Sequence, residues 1–294
     1  MTNLRKAYLQ LHLAVFLWGF TAILGDTIRL PALTLVWWRV LLTSISLLLI
    51  SRIGNTLRGM SRTDILRFAL VGALTGLHWL TFFGAVKLSN ASVTLVCMST
   101  GALFTSMLEP LLLRTRVKWL DVLLGLTVIP GMALVVGSVD VSMYDGILVG
   151  LLSAVLMGAF NVLNKKWIQQ VNPFAITFIE MASACLLLGI ALAAYQWRVP
   201  HAPFWPSWSD TWQLMVLALA CTTLTWYLAL QALRHLSAFA ATLTVNLEPV
   251  YGIFFAWVFL QENKELNTGF YAGVALILAA VGCYPLLLKR FSAP

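Results

Sequence analysis

Ten blocks of about twenty apolar residues, set apart by short polar or Pro-rich breaks, run along almost the whole of this 294-residue chain. A helix of that length crosses the hydrocarbon layer of a bilayer. A soluble domain would also need a shell in which about a quarter of all residues are charged, whereas here 10% are charged and 60% hydrophobic. The predicted spans are Tyr8–Thr27, Leu33–Ile50, Ile65–Val86, Ser92–Leu113, Leu120–Gly137, Ile147–Leu163, Phe174–Tyr195, Trp212–Leu233, Ala238–Leu260 and Gly269–Leu288. An even number of crossings puts both termini on one side. The first block runs through Trp18 and Phe20 without a small-residue cleavage site, so it is expected to stay as a helix.

The formal charge of +8 is spread over block ends and not gathered in a cluster, which excludes a nucleic-acid patch and fits the orientation of helices in a bilayer. Fourteen Lys and Arg residues fall on the side of the termini, among them Arg5, Arg52, Arg114, Lys165, Lys289 and Arg290. Four (Arg29, Lys87, Arg198 and Lys264) fall on the other, and Arg39 lies inside the second block. Basic residues mark the cytoplasmic side, so a bacterial inner-membrane protein with both termini in the cytoplasm is expected. Trp37, Trp38, Trp197, Trp205, Trp208 and Trp212 then sit at outer ends and Trp119 and Trp167 at inner ones, where amphipathic rings prefer the headgroup level. The segment Gln196–Asp210 is read as an irregular outer loop. Cys97, Cys185, Cys221 and Cys283 lie in apolar blocks with no short spacing, so no disulfide framework, metal site or cofactor is expected.

Self-comparison divides the chain. Thr75-Gly-Leu-His-Trp79 matches Thr222-Thr-Leu-Thr-Trp226 at an offset of 147, and the same offset pairs Ala85 with Ala232, Lys87 with Arg234 and Ala91 with Ala238. Trp18-Gly19 lines up with Met157-Gly158, and Pro31 and Pro173 each open the following helix. The units are residues 1–137, a link at 138–146, and residues 147–294. Five spans each is an odd number, so the second unit enters the membrane from the opposite side. Inverted repeats of this kind hold substrate near the midplane between the halves. The likeness of Leu108-Glu109-Pro110 to Leu247-Glu248-Pro249 is misleading, because its offset is 139. Glu109 is placed near the cytoplasmic end of its span and Glu248 near mid-depth.

Leu17-Trp-Gly-Phe20, Arg39 after Pro31, the stretch His78–Ser92 and Glu109-Pro110 resemble the drug/metabolite transporter superfamily, in its ten-helix branch with two EamA-type halves. The resemblance covers nearly the whole chain; one departure is Gly101, where many relatives have proline. It implies an all-α membrane protein with ten helices in two inverted five-helix repeats around a central cavity. It also implies movement of small metabolites, and the nearest likeness is to the aromatic amino acid exporter group. The expected function is secondary transport, export of amino acids (aromatic ones included) or similar metabolites by alternating access. Drugs or nucleosides are the alternative cargo, and an intramembrane enzyme or a channel are rival classes. No P-loop occurs, so no ATPase is implied; the partners expected are a small-molecule substrate and membrane lipid, with no nucleic acid.

Polar groups at mid-depth face a cavity or one another, and they nominate the site. Ala14, Trp18, Thr21 and Gly25 share one face of the first helix, and their repeat partners Ser153, Met157, Phe160 (or Asn161) and Asn164 share another. Such stripes serve either a cavity or close helix packing. His78 either binds a carboxylate or relays protons, or it is a neutral imidazole bonded to a neighbouring helix. Trp79 and Trp226 are matched mid-depth rings suited to aromatic walls. Ser92, Ser99 and Ser106 recur at heptad spacing, as packing residues or, for Ser99, as a substrate contact. Glu248 must be paired, solvated or protonated, and it is the coupling candidate. Glu180 and Asp26 lie nearer helix ends, where water is expected to reach them. The substrate-binding set is therefore Trp18, Thr21, His78, Trp79, Ser99, Asn161 and Trp226, with no catalytic residue.

Overall fold

The computed structural model describes residues 3–50, 53–168, 171–245, 247–264 and 266–291, with side chains of the last helix described through Ala279. Ser51, Arg52 and the side chains of Cys283, Lys289 and Arg290 lie outside the described residues. The protein is all helical, in ten segments: α1 (Asn3–Thr27), α2 (Ala32–Ile50), α3 (Arg62–Leu88), α4 (Ala91–Leu113), α5 (Trp119–Val136), α6 (Val141–Trp167), α7 (Pro173–Arg198), α8 (Trp208–Leu233), α9 (Ala238–Leu260) and α10 (Thr268–Phe291). Among the described residues the first nine are long and apolar enough to cross a membrane. A short helix, Gly54–Gly59, lies between α2 and α3.

Local chemistry explains most boundaries. Ser61 caps α3 through the Asp64 N–H, Asn172 caps α7 with Pro173 in its first turn, and Ser207 and Asp210 form a capping box on α8. Three predicted continuous spans are interrupted. In α5 the helix breaks at Thr127 and in α9 it breaks after Val245. Pro130 and Pro249 lie three to four residues beyond these breaks, where a proline ring denies the preceding turn a donor and crowds its carbonyl. In α4 the proline, Pro110, lies ten residues beyond the break at Ser99–Thr100 and does not cause it. There the N–H groups of Ser99 and Thr100 reach back only to Val96 and Cys97, and the Thr100 hydroxyl donates to the Cys97 carbonyl at 2.7 Å. Gly101 follows, and a Cβ on it would lie 2.2 Å from the Met157 side chain, so glycine lets α4 close on α6. The breaks of α4 and α9 are themselves related by the offset of 147, which keeps Glu248 out of register with Glu109.

Packing repeats when α1–α5 are exchanged for α6–α10. Helix α3 packs on α6 as α8 does on α1, α4 on α6 as α9 does on α1, α3 on α7 as α8 does on α2, and α5 packs on α10 across the relation. Lys87 at the end of α3 donates to the Ile28 carbonyl at 2.6 Å, and its counterpart Arg234 at the end of α8 donates to the Val171 carbonyl. The broken helices are clasped at both ends. Glu262, just past α9, accepts the N–H groups of Ala91 and Ser92 at the start of α4, both at 3.0 Å. Glu109, in α4, accepts the Phe239 N–H at the start of α9 at 2.9 Å. Each carboxylate satisfies orphan donors of a helix start and complements its dipole.

The two clasps differ in burial: Glu262 is 5% exposed and Glu109 is half-buried. Glu262→Ala should therefore lower the thermal midpoint in detergent more than Glu109→Ala does, because stranding a buried donor costs about 1–3 kcal/mol. Burial, with Asp26 nearby, holds the Glu262 carboxyl above the ordinary carboxylate range despite its bonds. The folded state thus keeps a proton that the unfolded chain has released, so this contribution to stability is full at low pH and fades as pH rises through the raised value. Glu262→Gln should flatten that part of the pH–stability curve; an unchanged curve would show that the group does not titrate on unfolding.

Candidate functional site

One cavity lies where α1, α2, α3, α6, α8 and α9 converge, with about 780 Å³ of space counting what is open to solvent. Its wall holds Trp18, Thr21, His78, Trp79, Asn161 and Trp226, together with Glu248. Ser99 is a correction: it is fully buried where α4 breaks, and its neighbour Met98 stands in the cavity wall instead. Gly25 also leaves the expected stripe, since its missing Cβ makes room for the Phe83 ring.

The aromatic wall is organised around Trp226. Its ring meets Trp79 edge-on at 5.1 Å, Trp18 at 6.2 Å and Phe160 at 5.5 Å between centroids. Edge-to-face contacts at these separations are the favourable ones for rings. The two repeat-related tryptophans therefore touch each other between the halves. Trp18 is fixed separately by donating its indole N–H to Thr225 Oγ1 at 2.9 Å.

Polar groups have defined states. His78 Nδ1 lies 2.9 Å from the Ser153 carbonyl and 2.8 Å from Ser153 Oγ, which itself donates to the His78 carbonyl. A carbonyl can only accept, so Nδ1 carries a proton, and in the neutral ring Nε2 is then the acceptor. His78 is thus bonded to a neighbouring helix and stands in the cavity wall as well. Asn161 donates to Thr242 Oγ1 at 3.3 Å. The Thr21 hydroxyl and Asn164 Oδ1 are buried with no hydrogen-bond partner among the described residues.

Two charged residues were undervalued by depth. Glu180 is a second correction: it is 0% exposed, not bathed by water near a helix end, and its Oε2 accepts the Trp226 indole N–H at 2.6 Å. Helix α3 seals it, for a Cβ at Gly72 would lie 2.2 Å from the Glu180 carbonyl. Arg39 is buried with its guanidinium carbon 3.7 Å from the Trp79 ring centroid. Counted from Ala32 and Pro173, where α2 and α7 begin, Arg39 and Glu180 stand at the same step. Each half thus sets one charged side chain of its second helix on the matched tryptophan of its third. Counting from Pro31 and Pro173 misses the pair by one residue, since α2 begins one residue after its proline and α7 begins on its own.

The EamA-like transporter family matches residues 5–137 and again residues 145–284. The chain belongs to that family. It is 21% identical over 272 residues to an uncharacterised transporter, YoaV, of Bacillus subtilis (strain 168), a match covering 89% of this chain and 91% of that one. A solved crystal structure that is 16% identical superposes with a TM-score of 0.72 over 98% of this chain and 99% of its own, which shows the fold. This EamA-like protein is therefore a multi-pass membrane transporter, with a small-molecule substrate and a lipid surround.

Glu180→Gln keeps an acceptor for the Trp226 indole and should leave the thermal midpoint close to that of the parent. Glu180→Leu strands the indole donor and should cost about 1–3 kcal/mol, with a change in tryptophan emission. Equal midpoints for the two variants would show that the bond does not hold the ring.

Proposed function

We propose that this chain is a secondary transporter that exports amino acids, aromatic ones included, or similar small metabolites across the bacterial inner membrane by alternating access. Residues 1–137 and 147–294 act as the two repeats, joined by the link at 138–146. Trp18, Thr21, His78, Trp79, Asn161 and Trp226 form the substrate site. The observation that carries this reading is a cavity between inverted halves whose aromatic walls enclose a few fixed polar groups, the composition expected of a small-molecule site. The rings suit an aromatic or aliphatic side chain, and the polar groups replace the hydration that a charged backbone loses on entering. Glu248 is the coupling group: its carboxyl stands in the wall without a hydrogen bond among the described residues, free to exchange a proton with the cavity.

Purified protein in liposomes should show saturable flux of aromatic amino acids that responds to an imposed pH gradient. Glu248→Gln keeps the shape but cannot titrate, so it should carry substrate down its own gradient and lose the response to pH. A normal pH response in this variant would remove Glu248 from coupling. Saturable flux of nucleosides or drugs with none of amino acids would transfer the site to the other cargo.

Orientation follows the basic residues, fourteen on the face of the termini and four opposite, which places both termini in the cytoplasm. A single cysteine in Ser138–Gly146, on a background lacking the native four, should react with an impermeant reagent outside sealed cells. One at Arg58 should not, and the reverse pattern would invert the map.

A further inference from the structure

Arg39 is the most demanding group in the bundle. A guanidinium stays charged in proteins, and this one is 1% exposed inside a membrane-spanning helix. Its Nε donates to Thr222 Oγ1 at 2.8 Å and its Nη2 to the Cys221 carbonyl at 3.4 Å, but Nη1 has no partner among the described residues. Among the described residues no carboxylate forms a salt bridge with it. Its flat face lies on Trp79, which offsets part of the lost hydration and fixes the plane of the fork while leaving the outer N–H edge unused. Packing alone does not account for a charged donor left bare at this depth, since a stranded donor costs about 1–3 kcal/mol, and more when charged.

Arg39 and Glu248 stand in the same cavity wall. They form no salt bridge with each other, so one wall holds a guanidinium and a carboxyl group at once. The touching rings of Trp79 and Trp226 stand in the same wall.

We propose that Arg39 is the anchor for the substrate carboxylate and Glu248 the partner of its ammonium group, so that the site reads the zwitterionic backbone of an α-amino acid. This rests on the amino-acid reading above and adds which atoms are recognised. The guanidinium fork matches a carboxylate with two parallel hydrogen bonds, and a planar group already stacked on Trp79 loses little freedom in making them. The substrate side chain is left to Trp18, Trp226 and Phe160, whose apolar faces discriminate weakly. Selectivity over uncharged analogues therefore comes from the charged pair. A site built to hydrogen-bond one group rejects analogues lacking it far more strongly than a pocket rejects a missing methylene.

The test compares three labelled compounds in proteoliposomes of the full chain: an aromatic amino acid, its carboxamide and its deaminated acid. The wild-type protein should move the amino acid at least about a hundredfold more efficiently than either analogue. In Arg39→Gln the preference for the acid over the carboxamide should collapse towards one, and Arg39→Lys, which keeps the charge without the fork, should fall between. Equal wild-type flux of amino acid and carboxamide overturns the Arg39 anchor while transport of amino acids stands. Absence of any amino-acid flux overturns the transport reading itself. Loss of both compounds in equal proportion in a folded Arg39→Gln protein assigns Arg39 to structure and overturns the proposal. Where a variant misfolds, the wild-type series decides alone.

Discussion

A guanidinium buried in a lipid-embedded bundle has to be held without water, and much of the centre of this protein is arranged around that requirement. Arg39 lies on Trp79, Trp79 meets Trp226, and Trp226 donates to Glu180, so one chain of contacts joins a cation in the second helix to a carboxyl in the seventh. Neither charge touches the other. A direct ion pair would quench both and leave an inert core, since buried pairs return little once desolvation is counted. Interposing two indoles keeps the groups apart, with the face of Trp79 towards Arg39 and the N–H edge of Trp226 towards Glu180. The same rings then serve as cavity wall, which ties the electrostatics of the fold to the place where cargo would sit.

The second constraint is the backbone. Inside hydrocarbon every N–H and C=O must be satisfied within the protein, and irregular backbone is tolerated only where it is buried or lines a cavity. The breaks of α4 and α9 obey this rule. Met98 and Val245 at the breaks, and Glu248 just beyond, belong to the cavity wall. The starts of the same two helices are closed by Glu262 and Glu109. Each broken helix therefore depends on its counterpart, since the carboxylate at the end of one satisfies the beginning of the other.

Hydropathy made the ten spans legible because a continuous apolar run of that length has few other uses, and the ends found in the structure differ from those expected by only a few residues. The interruptions were harder. Pro249 and Pro130 announce theirs, whereas the break at Ser99–Thr100 depends on hydroxyl and i→i−3 bonds and on the closeness of Met157 to Gly101, none of which leaves a pattern in sequence. Depth misled in the same way. Glu180 is near a helix end by count, yet Gly72 lets α3 press against its backbone and shuts water out. Heptad spacing groups Ser99 with Ser92 and Ser106 but does not say which face the cavity takes, and it takes Met98, one residue before. The repeat was the more reliable guide: it matched Trp79 with Trp226, although the prolines that open α2 and α7 leave Arg39 and Glu180 one residue out of step.

The two halves are related in sequence and packing but not equal in shape. The cavity wall reaches Leu233 at the end of α8, Asn164 near the end of α6 and Ala241 in the first turn of α9, all at the face of the termini. Towards the other face it stops at Thr21, Phe82, Arg39 and Met98, each six or seven residues short of the helix end. That closed side is where Glu262 is buried with two backbone bonds and where Lys87 and Asp210 tie α3 and α8 to the α1–α2 turn. The opposite clasp, Glu109, is half-buried and makes one such bond. Exchange of the two conformations between the halves would tighten Glu109, loosen Glu262 and carry the cavity to the other face. The Lys87 and Glu262 ties on one face already have counterparts in Arg234 and Glu109 on the other, so those contacts need no new type for the exchange.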